Sequence, residues 1–330
     1  MKKAIFVIAI LIYSNLTAQW QQTSGPTGGS VTCFASSGSN ILAGTGCSLY
    51  LSMNSGASWT NITENYFGSV YIHSVALDGN NIYAGTNNNG VYRSTDNGTT
   101  WTPANNGLNF NLTVSSIVVS GVNIFAGTDQ GVFLSTNNGS TWTGVNNGIP
   151  NNSDINSLTN NGTNIFAGTS TGVYYTSNNG FSWNEVNSGL TSVYVNTIMT
   201  NGTNIYAGTN NGVFFTDNNG NSWTQINTGL TDLYVNSIGF SGTNIFISTT
   251  NGGIFSSNSN SINWTAMNNG LPYSLTSTSY INVSGANIFV GVNGLGVYLS
   301  TNNGTSWTPS NSNFIDTRIL SMASNGNNIF

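Results

Sequence analysis

Charge is what this sequence has least of. Charged residues make up 4% of its 330 positions, against roughly a quarter in ordinary soluble domains. Nucleic-acid binding rests on many Lys and Arg neutralising phosphates, and only four basic residues are present, so that class of function is excluded. The single histidine, His73, leaves zinc hydrolysis short of ligands and a nucleophilic cysteine short of a base. The two cysteines, Cys33 and Cys47, lie close together. In an exported chain that favours a disulfide, with two buried thiols as the alternative. Long apolar runs are also missing, with one exception. Ala4 to Tyr13 follows Lys2 and Lys3 and precedes small residues, which is the layout of a secretory signal peptide. It is too short to span a bilayer comfortably. Residues 1–19 are therefore expected to be cleaved, near Ala18 or Gln19, and the rest to be soluble outside the cytoplasm, with no membrane span. Arg93 and Arg318 then stand against nine acids.

What is abundant is Asn, Ser, Thr and Gly, beside 38% hydrophobic and 12% aromatic residues, enough to bury a core. The abundance is periodic. "NGTNIFAGTSTGVYYTSNNGFSWNEVNSGL" at 161–190 returns as "NGTNIYAGTNNGVFFTDNNGNSWTQINTGL" at 201–230. Apart from the pair at Asn61, the Asn of each Asn-Ile pair falls at 40, 81, 123, 164, 204, 244, 287 and 328, at intervals of 40 to 43. That period, with Gly-Thr and Asn-Gly punctuation hostile to helices, reads as propeller blades. One period gives four strands: Tyr194–Thr200, Asn204–Thr209, Gly212–Thr216 and one from Trp223. The expected fold is an all-β propeller of four-stranded antiparallel blades over residues 20–330. A stacked β-helix is the alternative. Seven repeats are complete and an eighth is partial. Trp20 reads as a fourth strand without a preceding third, so closure of an eight-bladed ring by the N-terminal strand is expected, with seven blades and an overhang as the other count.

Between the third and fourth strands lies an eight-residue motif, "STDNGTTW" at 94–101 and "STNNGSTW" at 135–142 among others. It resembles the Asp-box, or BNR, repeat of sialidase-like propellers. The copies end at Trp59, Trp101, Trp142, Trp183, Trp223, Trp264 and Trp307. Asp96 alone keeps the acid at the third position. Asn54, Asn137, Asn178, Asn218 and Asn302 replace it, and the sixth copy has Ser259 there and Ser261 in place of Gly. An amide keeps the acceptor and loses the charge, so the turns are expected to hold without metal. The irregular sixth copy implies that Trp264 matters less than its counterparts. The chain is also similar to xyloglucan-cleaving glucanases, sortilin-type ectodomains and photosystem II assembly factors, which share blades and not chemistry.

The arginine triad that the sialidase resemblance would require cannot be built from Arg93 and Arg318, which excludes sialidase activity. No catalytic residue is assigned, and no cofactor or metal is expected. A glycosidase would need two facing carboxylates; Asp129 with Asp154 is the conceivable pair. The resemblance places function on the face made by fourth-to-first and second-to-third loops, which carry Phe110, Tyr194, Tyr234, Tyr273, Asp129, Asp154 and Asp232. Exposed aromatics among amides suit a glycan or a protein surface. Filling space at a strand start is the alternative role for the tyrosines. Thr32, His73, Ser115, Asn156, Asn196, Asn236 and Ser279 recur near the start of each first strand, as a polar, water-satisfied channel lining. The expectation is a secreted or cell-surface monomer acting as a binding, scaffold or adhesion module, with a glycoside hydrolase as the alternative. Similar chains often continue into a type IX sorting domain.

Overall fold

The structure is a computed structural model that describes residues 31–37, 40–45, 49–52, 60–62, 70–109, 111–151, 153–162, 164–259, 261–272, 278–284, 287–292, 296–309, 324–325 and 328–329. Among these residues there are seven four-stranded antiparallel sheets and one two-stranded sheet. Each is built from strands consecutive in sequence, which overturns the stacked β-helix and establishes the propeller. Blades 1 to 7 start at Val31, Ile72, Val114, Ile155, Val195, Val235 and Thr278. In blade 5 the strands are Val195–Asn201, Asn204–Thr209, Gly212–Thr216 and Thr224–Gln225. The first begins one residue later than its sequence suggests, leaving Tyr194 in the preceding loop. The turn is two residues long because Asn201 pairs with Asn204, and Gly202 takes a φ of 63° there.

Burial runs from the inside out. Second strands are buried on both faces, which explains runs such as "IFAG" in place of an alternating pattern. Successive side chains there serve opposite neighbours. Ile124 and Ala126 of blade 3 pack with Tyr83 and Val91 of blade 2, whereas Phe125 between them packs with Ile155, Ile165 and Trp183 of blade 4. The core is thus a series of clusters, each shared by two blades. Small residues set the spacing: a Cβ added at Gly127 would lie 2.6 Å from Ile155 Cγ2. Blade 6 has Ser248 at the corresponding place, and its buried hydroxyl has no partner among the described residues.

In blades 3 to 7 a tryptophan ties the blade to the one before, whereas the Trp101 indole of blade 2 donates to the Gly98 carbonyl of its own motif at 3.0 Å. Trp183 donates its indole N–H to the Val145 carbonyl at 2.6 Å and its backbone amide to the Asn147 carbonyl at 2.8 Å. Trp142, Trp223, Trp264 and Trp307 make the same pair of bonds, to Ala104 and Asn106, Val186 and Ser188, Ile226 and Thr228, and Met267 and Asn269. Close approach at this clamp requires glycine, since a Cβ at Gly148 would sit 2.0 Å from the Trp183 oxygen. Trp264 is as buried as its counterparts at 3% exposure, although its motif is irregular.

First strands pack side by side around the axis, blade 1 against 2 and so on to blade 7. The two-stranded unit, Ser324–Asn325 with Asn328–Ile329, lies against the first strands of both blade 7 and blade 1. Among the described residues the ring therefore has eight positions, with that unit in the eighth. Residues 1–19, Trp20, Asn54, Trp59 and Cys47 lie outside the described residues, and of Cys33 only its place in the first strand of blade 1 is described.

Candidate functional site

The two edges of the ring differ. On one, the motif turns meet the first hairpins: the Asn97 amide donates to the Asn80 carbonyl at 3.1 Å, and Ser259 to Thr243 at 2.9 Å. Asp96 accepts the Thr100 amide on one oxygen at 2.8 Å and the Thr100 hydroxyl on the other at 2.7 Å. These bonds, with a smaller one from the Ser94 hydroxyl, hold its carboxyl below the ordinary value. Asn137, Asn178, Asn218 and Asn302 accept the equivalent amide through Oδ1 and donate from Nδ2 to the equivalent hydroxyl. One chemical change is absorbed by reversing one donor. Asn97, at the fourth position, and Gly98 both have positive φ, 56° and 84°. The sixth turn is different in kind: Asn258 pairs directly with Ser261, a tight hairpin in place of the eight-residue turn.

On the other edge, the second-to-third loops of blades 2 to 6 bond to the residue just before a first strand. Asn87 donates to Tyr71, Asp129 to Thr113, Ser170 to Asp154, Asn210 to Tyr194 and Thr250 to Tyr234. This edge therefore gathers Asp129, Asp154, Asp232, Tyr194 and Tyr234, as the loop assignment implies. Phe110 and Tyr273 lie outside the described residues.

Length decides what these loops expose. From the clamp glycine to the first strand, Gly107 to Val114 and Gly148 to Ile155 are one residue longer than Gly189 to Val195 and Gly229 to Val235. In blade 3 the longer loop buries Leu112 completely. In blades 5 and 6 the shorter loops leave Val193 48%, Tyr194 40%, Leu233 36% and Tyr234 42% exposed. Sequence reasoning missed Val193 and Leu233 because the runs "SVYV" and "DLYV" read as strand starts. Loop length was the available signal.

The carboxylates are engaged in shaping the loops. Asp232 accepts the amides of Tyr234 at 3.1 Å, Asn251 at 2.6 Å and Gly252 at 2.9 Å. Burial pushes its acidity down, but these amides outweigh burial and hold the carboxyl below its ordinary value. It is a clasp between two loops of blade 6. Asp129 accepts the Thr113 amide at 3.3 Å, and Asp154 is exposed, its amide held by the Ser170 hydroxyl at 3.2 Å. Among the described residues no group of three or more His, Cys, Asp or Glu is placed to hold a metal ion.

The recurring polar positions turn out to be β-bulges. Register shifts in the first strands of blades 1 to 7 leave Thr32, His73, Ser115, Asn156, Asn196, Asn236 and Ser279 as the extra residue that the register skips. A bulge re-aims its side chain. Asn156 and Asn196 donate to the carbonyls of Val195 and Val235 in the following blade, at 2.8 and 2.9 Å. Asn236 donates to Thr250 Oγ1 at 3.3 Å. Protein groups accept from these three. His73 packs on Tyr71 with ring centroids 5.0 Å apart, and burial lowers its pKa, so it is neutral at pH 7.

Comparison with known proteins agrees with this architecture. The DUF6242 beta propeller domain model matches residues 12–164, 117–228 and 165–290. No curated protein matches the sequence. Among solved structures, YCF48 bound to D1 peptide is similar with a TM-score of 0.61 at 14% identity, over 80% of this chain and 89% of that one. An ancestral GH74 enzyme is similar at 0.58 and 22% identity, over 72% of this chain and 37% of that one. An extracellular domain from B. thetaiotaomicron is similar at 0.64 and 16% identity, over 93% and 52%. The chain thus spans about a third of the enzyme and about half of the extracellular domain. These likenesses are of fold.

Proposed function

The chain belongs to the DUF6242 beta propeller family, and we propose that it is an exported binding or scaffold module, recognising an extracellular glycan or protein through its loop edge. The observation that carries this reading is the exposed row Val193, Tyr194, Leu233 and Tyr234, repeated in two neighbouring blades of an otherwise amide-rich edge. Large apolar groups left in water at equivalent places mark contact sites more often than scattered single ones do. Export is supported by the N-terminal pattern Lys2-Lys3 followed by Ala4 to Tyr13. The motif turns are read as Asp-boxes whose acid has mostly become Asn, and they serve as structural turns on the opposite edge.

A glycoside hydrolase is the weaker reading. Of the carboxylates on the loop edge, Asp232 is committed to three backbone amides, and the amide of Asp154 and a carboxyl oxygen of Asp129 are bonded within the loops. Binding on a glycan array, with reducing-end release measured in parallel on the same sugars, tests both. Retention without release supports a binding module. Release that disappears in Asp129→Asn or Asp154→Asn overturns it in favour of hydrolysis.

A further inference from the structure

Two copies of one constellation sit side by side on the loop edge. In blade 5 the Tyr194 carbonyl accepts the Asn210 amide at 3.4 Å, and the Asn196 side-chain amide donates to Asn210 Oδ1 at 2.9 Å. In blade 6 the Tyr234 carbonyl accepts the Thr250 amide at 3.0 Å, and Asn236 donates to Thr250 Oγ1. The loop between them joins the copies. Its Gly212 amide donates to the Leu233 carbonyl at 2.7 Å, so residues 210–212 are bonded to Tyr194 on one side and to the segment carrying Tyr234 on the other. The segments that carry the two tyrosines are thus linked by backbone bonds and bulge asparagines.

Resting on the reading of this edge as the binding face, we propose that Tyr194 and Tyr234, with Asn210 between them, form a two-subsite platform for a linear, uncharged glycan, one sugar ring to each tyrosine. Charge selects the ligand class. Among the described residues this edge carries Asp129, Asp154 and Asp232, while Arg93 lies on a third strand and donates to Ser140 of the neighbouring motif turn, on the opposite edge. A uronic acid, a sulfated sugar or an acidic peptide would meet like charge with no cation among the described residues of this edge to offset it. Chemistry selects further. A pyranose offers a flat C–H face and a rim of hydroxyls. A tyrosine offers an apolar face with a polar tip, and Asn210, Asn211, Thr231 and Asn251 supply neutral donors and acceptors around it. A stable protein partner would need about 800 Å² per side with an apolar centre, and only four large apolar side chains of this edge are exposed among the described residues.

Calorimetric titration of the full chain tests this. The probes are hexasaccharides of β-1,4-glucose, β-1,4-mannose and β-1,4-N-acetylglucosamine, beside hexagalacturonate and a library of uncharged dodecapeptides. At least one neutral hexasaccharide should bind and hexagalacturonate should not. Y194A and Y234A should each weaken that binding about tenfold, from the loss of one aromatic contact and its buried area. Y194F should leave affinity within about twofold, and thermal melts should not move because both rings are exposed. Tyrosine-dependent binding of peptides or hexagalacturonate alone overturns the glycan inference and leaves the loop edge as the binding face. A neutral hexasaccharide bound equally well by Y194A, Y234A and the parent overturns both. Failure of every probe overturns the platform.

Discussion

Removing the indole of Trp183 probes the joint between blades 3 and 4. The ring is 3% exposed and packs with Phe125, Ile149 and Tyr174. Its N–H is spent on the Val145 carbonyl of the preceding blade, while its backbone amide holds Asn147. Trp183→Ala loses the ring and the first bond and keeps the second. A buried aromatic cut to alanine costs about 3–5 kcal/mol. Leaving the Val145 carbonyl without its donor adds about 1–3 kcal/mol, reduced if water enters the cavity. Trp183→Phe separates the two effects, because it keeps most of the apolar contact and loses the bond, for about 1–3 kcal/mol. With an m-value of about 3 kcal/mol/M in urea, the alanine variant should unfold at a midpoint at least about 1 M lower. The phenylalanine variant should fall by about 0.3–1 M. Far-UV circular dichroism follows the transition without relying on tryptophan emission, and Thr143→Ala, at an exposed neighbouring position, is the control. A shift below about 0.3 M for Trp183→Ala would refute the clamp. Equal losses for alanine and phenylalanine would show that the hydrogen bond, and not the packing, carries the joint.

Other outcomes follow from the same geometry. Gly148→Ala should destabilise the fold by several kcal/mol, since its Cβ would sit 2.0 Å from the Trp183 oxygen and its φ is 99°; a melting temperature within 2 °C of the parent would contradict that close approach. Hydrogen bonds depress the Asp96 carboxyl below 3.8, so its contribution is present above that pH and lost as pH falls below it. In urea titrations at pH 5 and pH 2.5, Asp96→Asn should show a slightly smaller acid loss than the parent, and a larger one would reverse the sign. Chelation with EDTA should leave the melting temperature unchanged, because the motif turns close with amides and hydroxyls; a drop of several degrees would reveal an ion holding the fold.

Much of the blade was legible because each strand announces itself. In blade 5 the second and third strands coincide with their sequence limits, since Asn204 and Gly212 sit at turns that leave no other frame. The bulges were not legible. One extra residue such as Asn196 looks like the next step of an alternating strand, and only pairing to Thr209 on one side and Gly208 on the other exposes the slip. The clamp was half legible: the buried Trp could be foreseen, but its acceptors lie 37 to 40 residues away in another blade. On the site, Tyr194 and Tyr234 could be named from sequence, yet their exposure, and that of Val193 and Leu233, depends on a loop one residue shorter than its neighbours.

The eighth position has a consequence for how the ring comes together. Almost every bond that joins blades links residues one repeat apart, as Ser74 to Val114 and Trp183 to Val145 do. Assembly can therefore proceed by propagation, each blade docking on the one just made, at low contact order. Among the described residues, the meeting of residues 324–325 with 31–37 joins the two far ends of the ring. Loop entropy grows with the logarithm of length, so closing that span costs only about 2 kcal/mol more than closing one repeat. The search is thermodynamically cheap but comes last in time. Refolding should show fast acquisition of strand signal followed by a slower step, and joining the ends of the sequence differently would change the rate of that step far more than the stability of the blades.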